Sequence, residues 1–225
     1  MRKIRTNKER SPPTVHMEYE RANEVLARLK DEYPEADTTL DYETPYQLLV
    51  ATVLSAQCTD ERVNSVTPAL FEEFPTPKEM ADASQEDVAE LVKPTGYYNS
   101  KAGYLVDGAR TLVENFDGEV PRSIDDLTTV EGVGRKTANV VVSNAFGTHE
   151  GIAVDTHVQR LSQRLGLVET EKRDEIERVL REKFPQEDWG LVSHLLIAHG
   201  RAVCTARNPD CGSCVLEDIC PSSRL

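Results

Sequence analysis

Four of the five cysteines crowd the C-terminal end, as Cys204, Cys211, Cys214 and Cys220. Four thiolates in so short a stretch can enclose one metal centre. The charged N-terminus has no apolar stretch behind it, so a secreted disulfide scaffold is not expected and metal ligation is the natural reading. Zinc is the generic alternative. Zinc knuckles usually bring a pair of C-x2-C units, however, and this chain has only Cys211 and Cys214. Cys58 stands apart in an apolar setting and reads as a small buried hydrophobe.

A second chemical signal is the segment Thr129-Val-Glu-Gly-Val-Gly-Arg-Lys-Thr-Ala-Asn139. Gly132 and Gly134 flank Val133, which allows a tight turn and the close approach of another backbone. The turn's N–H groups, with the N-terminus of the next helix, form an anion site that needs no net positive charge. A DNA phosphate fits such a site. Lys136 falls in that helix's first turn. A lysine attacks carbon only as the neutral amine, a form favoured by the positive end of a helix and by Arg135 beside it. The bland alternative is that Lys136 only binds phosphate.

Asp155 directly follows the apolar run Ile152-Ala-Val154 and precedes Thr156 and His157. A carboxylate placed there is a helix N-cap, a catalytic group, or both.

Helical spacing dominates the elements that must carry these groups. Val25, Leu26 and Leu29 share one face, and Leu48, Leu49, Val53 and Leu54 form another stripe. Ala138, Val141, Val142 and Ala145 recur at i, i+3, i+4 and i+7. Ile176, Val179, Leu180 and Phe184 do the same, and Val192, Leu195 and Leu196 mark a further helix. Ser123 with Asp126 resembles a capping box. Sustained period-two alternation is missing, so the chain reads as all-α. Residues 1 to 17, basic and broken by Pro12-Pro13, read as a flexible arm that can brush DNA or simply stay solvated.

The net charge of −13 argues against nucleic acid at first sight. Residues 2 to 10 carry +4, so the remainder stands at −17, with 21 basic against 38 acidic residues. Such an acidic, lysine-poor surface suits a halophilic host, and a merely acidic cytoplasmic protein is the alternative. No apolar run is long enough to span a membrane.

The motifs fall in a telling order. Leu54-Ser-Ala-Gln-Cys-Thr-Asp60 comes first, then Gly96-Tyr-Tyr-Asn-Ser-Lys-Ala102, then the Gly132–Asn139 segment, then Val154-Asp-Thr-His157, then the four cysteines. That order resembles the endonuclease III family of helix-hairpin-helix DNA glycosylases, over about residues 21 to 220. The resemblance implies a bifunctional glycosylase and abasic-site lyase that excises oxidised pyrimidines from double-stranded DNA. It implies Lys136 as nucleophile and Asp155 as its partner. It implies a [4Fe-4S] cluster on Cys204, Cys211, Cys214 and Cys220, whose x6-x2-x5 spacing matches the family pattern. Gln57 is then expected to fill the space of the flipped nucleotide, and Tyr97 to stand where the family usually has an aliphatic wedge. Gly132, Val133, Gly134, Arg135 and Thr137 are expected along the DNA backbone. Ser55, Asp60 and His157 are expected in the pocket or along the backbone path, each with a structural reading as cap or core polar group beside it. Arg160, Arg201 and Arg207 are expected to offer cations near the cysteines.

Glu131 departs from the family's usual proline before Gly132 and places a negative charge near the phosphate path. Rival readings are an adenine-specific mismatch glycosylase, disfavoured by Lys136, and a non-catalytic helix-hairpin-helix module, disfavoured by Lys136 with Asp155. The implied architecture is two helical domains with the site in the cleft between them. One is a six-helix domain over residues 38 to 148, and the other unites residues 18 to 37 with 149 to 225. The chain is expected to act as a cytoplasmic monomer. A chain adapted to salt should lose helical circular dichroism on dialysis into dilute buffer, whereas an unchanged spectrum identifies a merely acidic one.

Overall fold

The computed structural model describes residues 13–225, with side chains from Tyr19 onward. All regular structure among the described residues is helical. Eleven α-helices follow in order: α1 (Pro13–Glu32), α2 (Pro45–Leu54), α3 (Asp60–Glu73), α4 (Pro77–Asp82), α5 (Gln85–Val92), α6 (Tyr98–Phe116), α7 (Ile124–Leu127), α8 (Arg135–Phe146), α9 (Thr156–Arg164), α10 (Arg173–Lys183) and α11 (Trp189–Ala202). Short 3-10 turns sit at Lys93–Thr95, Gln186–Asp188, Cys211–Ser213 and Glu217–Ile219.

Residues 1–12 of the expected N-terminal arm lie outside the described residues. Its last part does not match the expectation, because α1 already begins at Pro13. Proline suits that first helical position, where its ring presets φ and its missing N–H would have had no helical acceptor.

Local chemistry explains most helix starts. Thr44, Thr59, Ser84 and Ser123 each accept the backbone N–H of the third residue of the next helix. Proline opens α2 and α4. Half of the expected capping box forms: Ser123 Oγ accepts from Asp126 N at 3.1 Å, but Asp126 Oδ2 accepts from the Ser123 hydroxyl at 2.7 Å and not from its backbone N–H.

The buried apolar side chains fall into two clusters. The first runs from Leu40 to Val142 and draws on α2 to α8. The second joins Ala22, Val25, Leu26 and Leu29 of α1 to residues between Ile152 and Leu216. Residues far apart in sequence thus share one core, with α1 packed against α10 and α11. The apolar stripe expected on α2 is wider than a stripe, because every residue from Leu48 to Leu54 is buried. A helix apolar on all sides belongs in the middle of a core, and α2 packs on α3, α6 and α8.

The glycine turn is held from behind by α6. Gly132 has φ +79°, and a Cβ there would lie 2.5 Å from Tyr104 Cβ. Gly108 of α6 fits against Glu131 O, which a Cβ would approach to 2.9 Å. Around Gly134, by contrast, a Cβ meets nothing within 4 Å. Gly132→Ala should therefore cost roughly 2–4 kcal/mol of stability, from left-handed backbone plus overpacking. Gly134→Ala should leave thermal stability within about 0.5 kcal/mol. Melting curves of the two variants check the contrast.

Candidate active site

A cavity of about 120 Å³ is walled by residues of both cores. Lys136, Asn139, Ser143 and Asn144 of α8 form one side, with Thr52 and Ser55. Ala153, Asp155, Ser193, His194 and Arg201 form the other. The two groups singled out for covalent chemistry therefore line a single space.

Lys136 is the second residue of α8, whose N-cap is Gly134. Glycine offers no side-chain cap, and none is made, so the first-turn amides keep their hydrogen-bonding capacity for an outside acceptor. Lys136 is exposed, and among the described residues no carboxylate pairs with it. Lys101, the other lysine within the motifs, has the opposite setting. It is 4% exposed, its Nζ donates to two backbone carbonyls, and it is absent from the cavity wall. Of the two, only Lys136 can reach a substrate there.

Asp155 does cap α9. Its Oδ1 accepts from His157 N and Val158 N, each at 2.8 Å. Both cap bonds use that one oxygen, so the cap orients the carboxylate while Oδ2 stays available to the cavity. The cap and a chemical role are compatible in this geometry.

Several expected contacts have other partners. The guanidinium of Arg135 is bound by Glu177 of α10, with Nε to Oε2 at 2.9 Å and Nη2 to Oε1 at 3.1 Å. Its charge is compensated, which corrects the expectation that it adds free positive potential beside Lys136. Asn139, 4% exposed, also reaches Glu177 through Nδ2 at 3.3 Å, leaving its Oδ1 buried without a partner. The Val133 side chain is packed in the first core and its N–H donates to Val130 O at 3.1 Å, so neither offers the DNA contact expected of it. His157 turns toward Gly200 and Arg160 instead of the cavity, and burial pushes its pKa down. Asp60 lines the cavity but is held by Thr39 Oγ1 and by Arg201 at 3.3 Å. Ser55 also lines it, with its hydroxyl donated to Thr52 O at 2.8 Å. Thr137 is half-buried in the first turn of α8.

Gln57 and Tyr97 lie outside the cavity, on two loops. Both are exposed, and both adopt the left-handed backbone, with φ +53° and +49°. Tyr97 is 68% exposed. Non-glycine residues held in that region cost about 1–3 kcal/mol each and gather at functional sites.

Sequence reasoning missed Asn139, Ser143, Asn144 and His194. Asn139 and Ser143 follow Lys136 at helical spacing on one face of α8, a signal that was available. His194 sits on α11 and meets Asn144 Oδ1 at 3.0 Å, a contact no local pattern announces.

The four C-terminal cysteines line one cavity of about 160 Å³, with Leu161, Arg164 and His199. None of the four is in a disulfide. Burial pushes the Cys214 and Cys220 thiols up, and the neighbouring cysteines add to it. No group of three or more His, Cys, Asp or Glu among the described residues is arranged to hold a single ion. Four cysteine sulfurs around one cavity supply the donor set of an iron–sulfur cluster. Arg164 donates to Cys204 Sγ at 3.3 Å, and His199 Nε2 lies 3.3 Å from Cys214 Sγ. Arg160 is committed to the carbonyls of Gly200 and Cys204, and Arg201 to Asp60. Neither is the free cation expected near the cysteines, whereas Arg207 is exposed.

The hairpin, the two-walled cavity and the cysteine loop define a helix-hairpin-helix protein of DNA base excision. Residues 50–186 match the HhH-GPD superfamily base excision DNA repair protein family, and residues 204–220 match the iron-sulfur binding domain of endonuclease III. The chain is 53% identical over 205 residues to endonuclease III of Synechocystis sp., covering 91% of this chain and 94% of that relative. It is 42% identical over 197 residues to endonuclease III of Escherichia coli (strain K12), covering 88% and 93%. Among solved structures it resembles a trapped endonuclease III–DNA covalent intermediate, with TM-score 0.86 and 40% identity over 91% of this chain and 96% of that one. A thermostable thymine-DNA glycosylase shares the fold, with TM-score 0.81 at 19% identity. This chain belongs to the endonuclease III family.

Anaerobically purified protein should be coloured and contain iron and acid-labile sulfide in equal amounts. Colourless protein containing zinc would refute the cluster.

Proposed function

We propose that Lys136 is the nucleophile, and Asp155 its partner, in a base-excision repair enzyme that removes oxidised pyrimidines and cleaves the resulting abasic site. The observation that carries this reading is the shared cavity: the two side chains sit on elements packed into different cores and line one space. A related protein has been trapped as a covalent DNA intermediate, which supports covalent chemistry here as well.

The Lys136 amine attacks C1′, and the glycosidic bond breaks as its electron pair leaves with the base, which takes up a proton. The bound amine gives up a proton, the C1′–O4′ bond breaks with O4′ taking up a proton, and a protonated imine is left between Nζ and C1′. That cation acidifies the C2′ proton, whose loss expels the 3′ phosphate and nicks the strand. Asp155, held by its two cap bonds, balances the positive charge on the sugar and moves protons to and from the amine.

Double-stranded DNA carrying a damaged base or abasic site is the partner. The target nucleotide is flipped out of the stack to reach the cavity. Gln57 and Tyr97 enter the space left behind, and the uncapped first-turn amides of α8, after Gly134, take a backbone phosphate. The two cores support a division into residues 38–148 and residues 18–37 with 149–225. Cys204, Cys211, Cys214 and Cys220 hold a [4Fe-4S] cluster, which ties the C-terminal loop to the second core. The protein works as a cytoplasmic monomer, and no described helix is long and apolar enough to cross a membrane.

Borohydride treatment with DNA containing an oxidised pyrimidine should trap a covalent adduct, and Lys136→Ala should abolish it. An adduct that persists in that variant would sink the assignment. Asp155→Asn preserves the cap and should keep the melting temperature, while lowering excision by about 10²–10⁴-fold. Asp155→Ala should lose about 1 kcal/mol of stability as well.

A further inference from the structure

The Lys101 ammonium is almost completely buried, yet no carboxylate is hydrogen-bonded to it. Its Nζ donates to Leu54 O and to Thr95 O, each at 2.8 Å. Leu54 is the last residue of α2, and Thr95 the last of the 3-10 turn Lys93–Thr95. A helix leaves its final carbonyls without backbone donors, and a cation at that end suits both the lone pairs and the helix dipole. One ammonium therefore closes two helix ends at once.

Each closed end leads straight into a loop with a left-handed residue at its exposed tip. Gln57 lies three residues beyond Leu54, and Tyr97 two residues beyond Thr95. Those are the two residues assigned to the gap in the duplex. Burying an ammonium is costly, and an apolar side chain of the same length serves packing alone at lower cost. Lys101 takes no part in the cavity wall. Its charge is retained for something other than core packing or the bond-breaking steps.

We propose that Lys101 is a positioning residue that clamps the Gln57 loop to the Tyr97 loop, so that the two side chains enter the duplex as one rigid pair. The inference rests on the reading of Gln57 and Tyr97 as the inserting residues. Gly96, with φ +70°, supplies the sharp turn, and the Lys101–Thr95 bond fixes where that turn starts. Without the shared anchor, each loop moves independently, and displacement of the wedge by about 1 Å is enough to cost on the order of 10²-fold.

The test compares the full cluster-bearing chain with Lys101→Met and with Lys101→Gln, which keeps one amide donor and guards against a misfolded Met variant. Two quantities are read. The first is amide hydrogen exchange at Ala56, Cys58 and Gly96, whose N–H groups are bonded to Val53 O, Ser55 O and Lys93 O. The second is the ratio of borohydride trapping rates on an abasic site in duplex and in single-stranded DNA, because only the duplex needs a wedge. Exchange should rise in both loops together in Lys101→Met, and the duplex-to-single-strand ratio should fall by about tenfold or more. Lys101→Gln should show smaller changes in the same direction. A uniform rise in exchange across α2 to α8 with an unchanged ratio makes Lys101 merely structural and overturns the proposal. Gln57→Ala and Tyr97→Ala are measured alongside. A normal ratio in both of them overturns the wedge reading, and the exchange data report separately on the clamp.

Discussion

The pair between Arg135 and Glu177 joins the two halves of the cavity. Arg135 opens α8, on the hairpin side, and Glu177 comes from α10, in the second core. Glu177 is buried and Arg135 is only half-covered, so the carboxylate depends on the guanidinium more than the reverse. A buried carboxylate without its partner is destabilising by several kcal/mol, roughly 3–5 when one member of a pair is removed. Asn139 shares the same carboxylate, and Gly151 leaves just enough room for the two side chains beside its backbone. The network lies next to Lys136 in sequence and ties the start of α8, on the first core, to α10 of the second.

That arrangement explains how a chain of net charge −13 can handle a polyanion. Its arginines near the site are largely occupied: Arg135 by Glu177, Arg201 by Asp60, Arg160 by main-chain carbonyls. Their work is internal. In the DNA contacts we propose, the uncapped amides at the start of α8 and the Gln57 and Tyr97 loops work through partial charges and shape in place of net charge. Glu131, exposed on the hairpin, is compatible with a turn proposed to bind through its backbone.

The cysteine loop follows a similar logic of internal tying. It has no helix longer than a 3-10 turn and buries mainly Leu216 in the second core. Arg164 spans it, donating to Cys204 Sγ, Thr205 O and Ala206 O. Four thiolates bound to one cluster add the covalent constraint that such a loop lacks apolar area to supply. Tyr33, His199 and Cys214 form a chain from α1 to the loop, with the tyrosine hydroxyl 3.0 Å from His199 Nδ1. The N-terminal helix and the last loop therefore belong to the same unit.

The sequence alone singled out the residues proposed to carry the chemistry and determined that the chain is helical. Caps such as Ser123 with Asp126, the periodic faces of α8 and α10, and the order of Lys136, Asp155 and the cysteines are all local signals. They are readable because a cap or a helix face depends on neighbours within four residues. The tertiary structure decided everything that depends on partners far along the chain. It paired Arg135 with Glu177, turned His157 inward against Gly200, buried α2 on every side, and brought His194 to Asn144. It also gave Lys101 two carbonyl acceptors from separate loops. The physical reason is the same in each case. A charged or polar side chain has many local conformations of similar energy, and the packing of distant helices chooses among them by deciding which donors and acceptors are left without water.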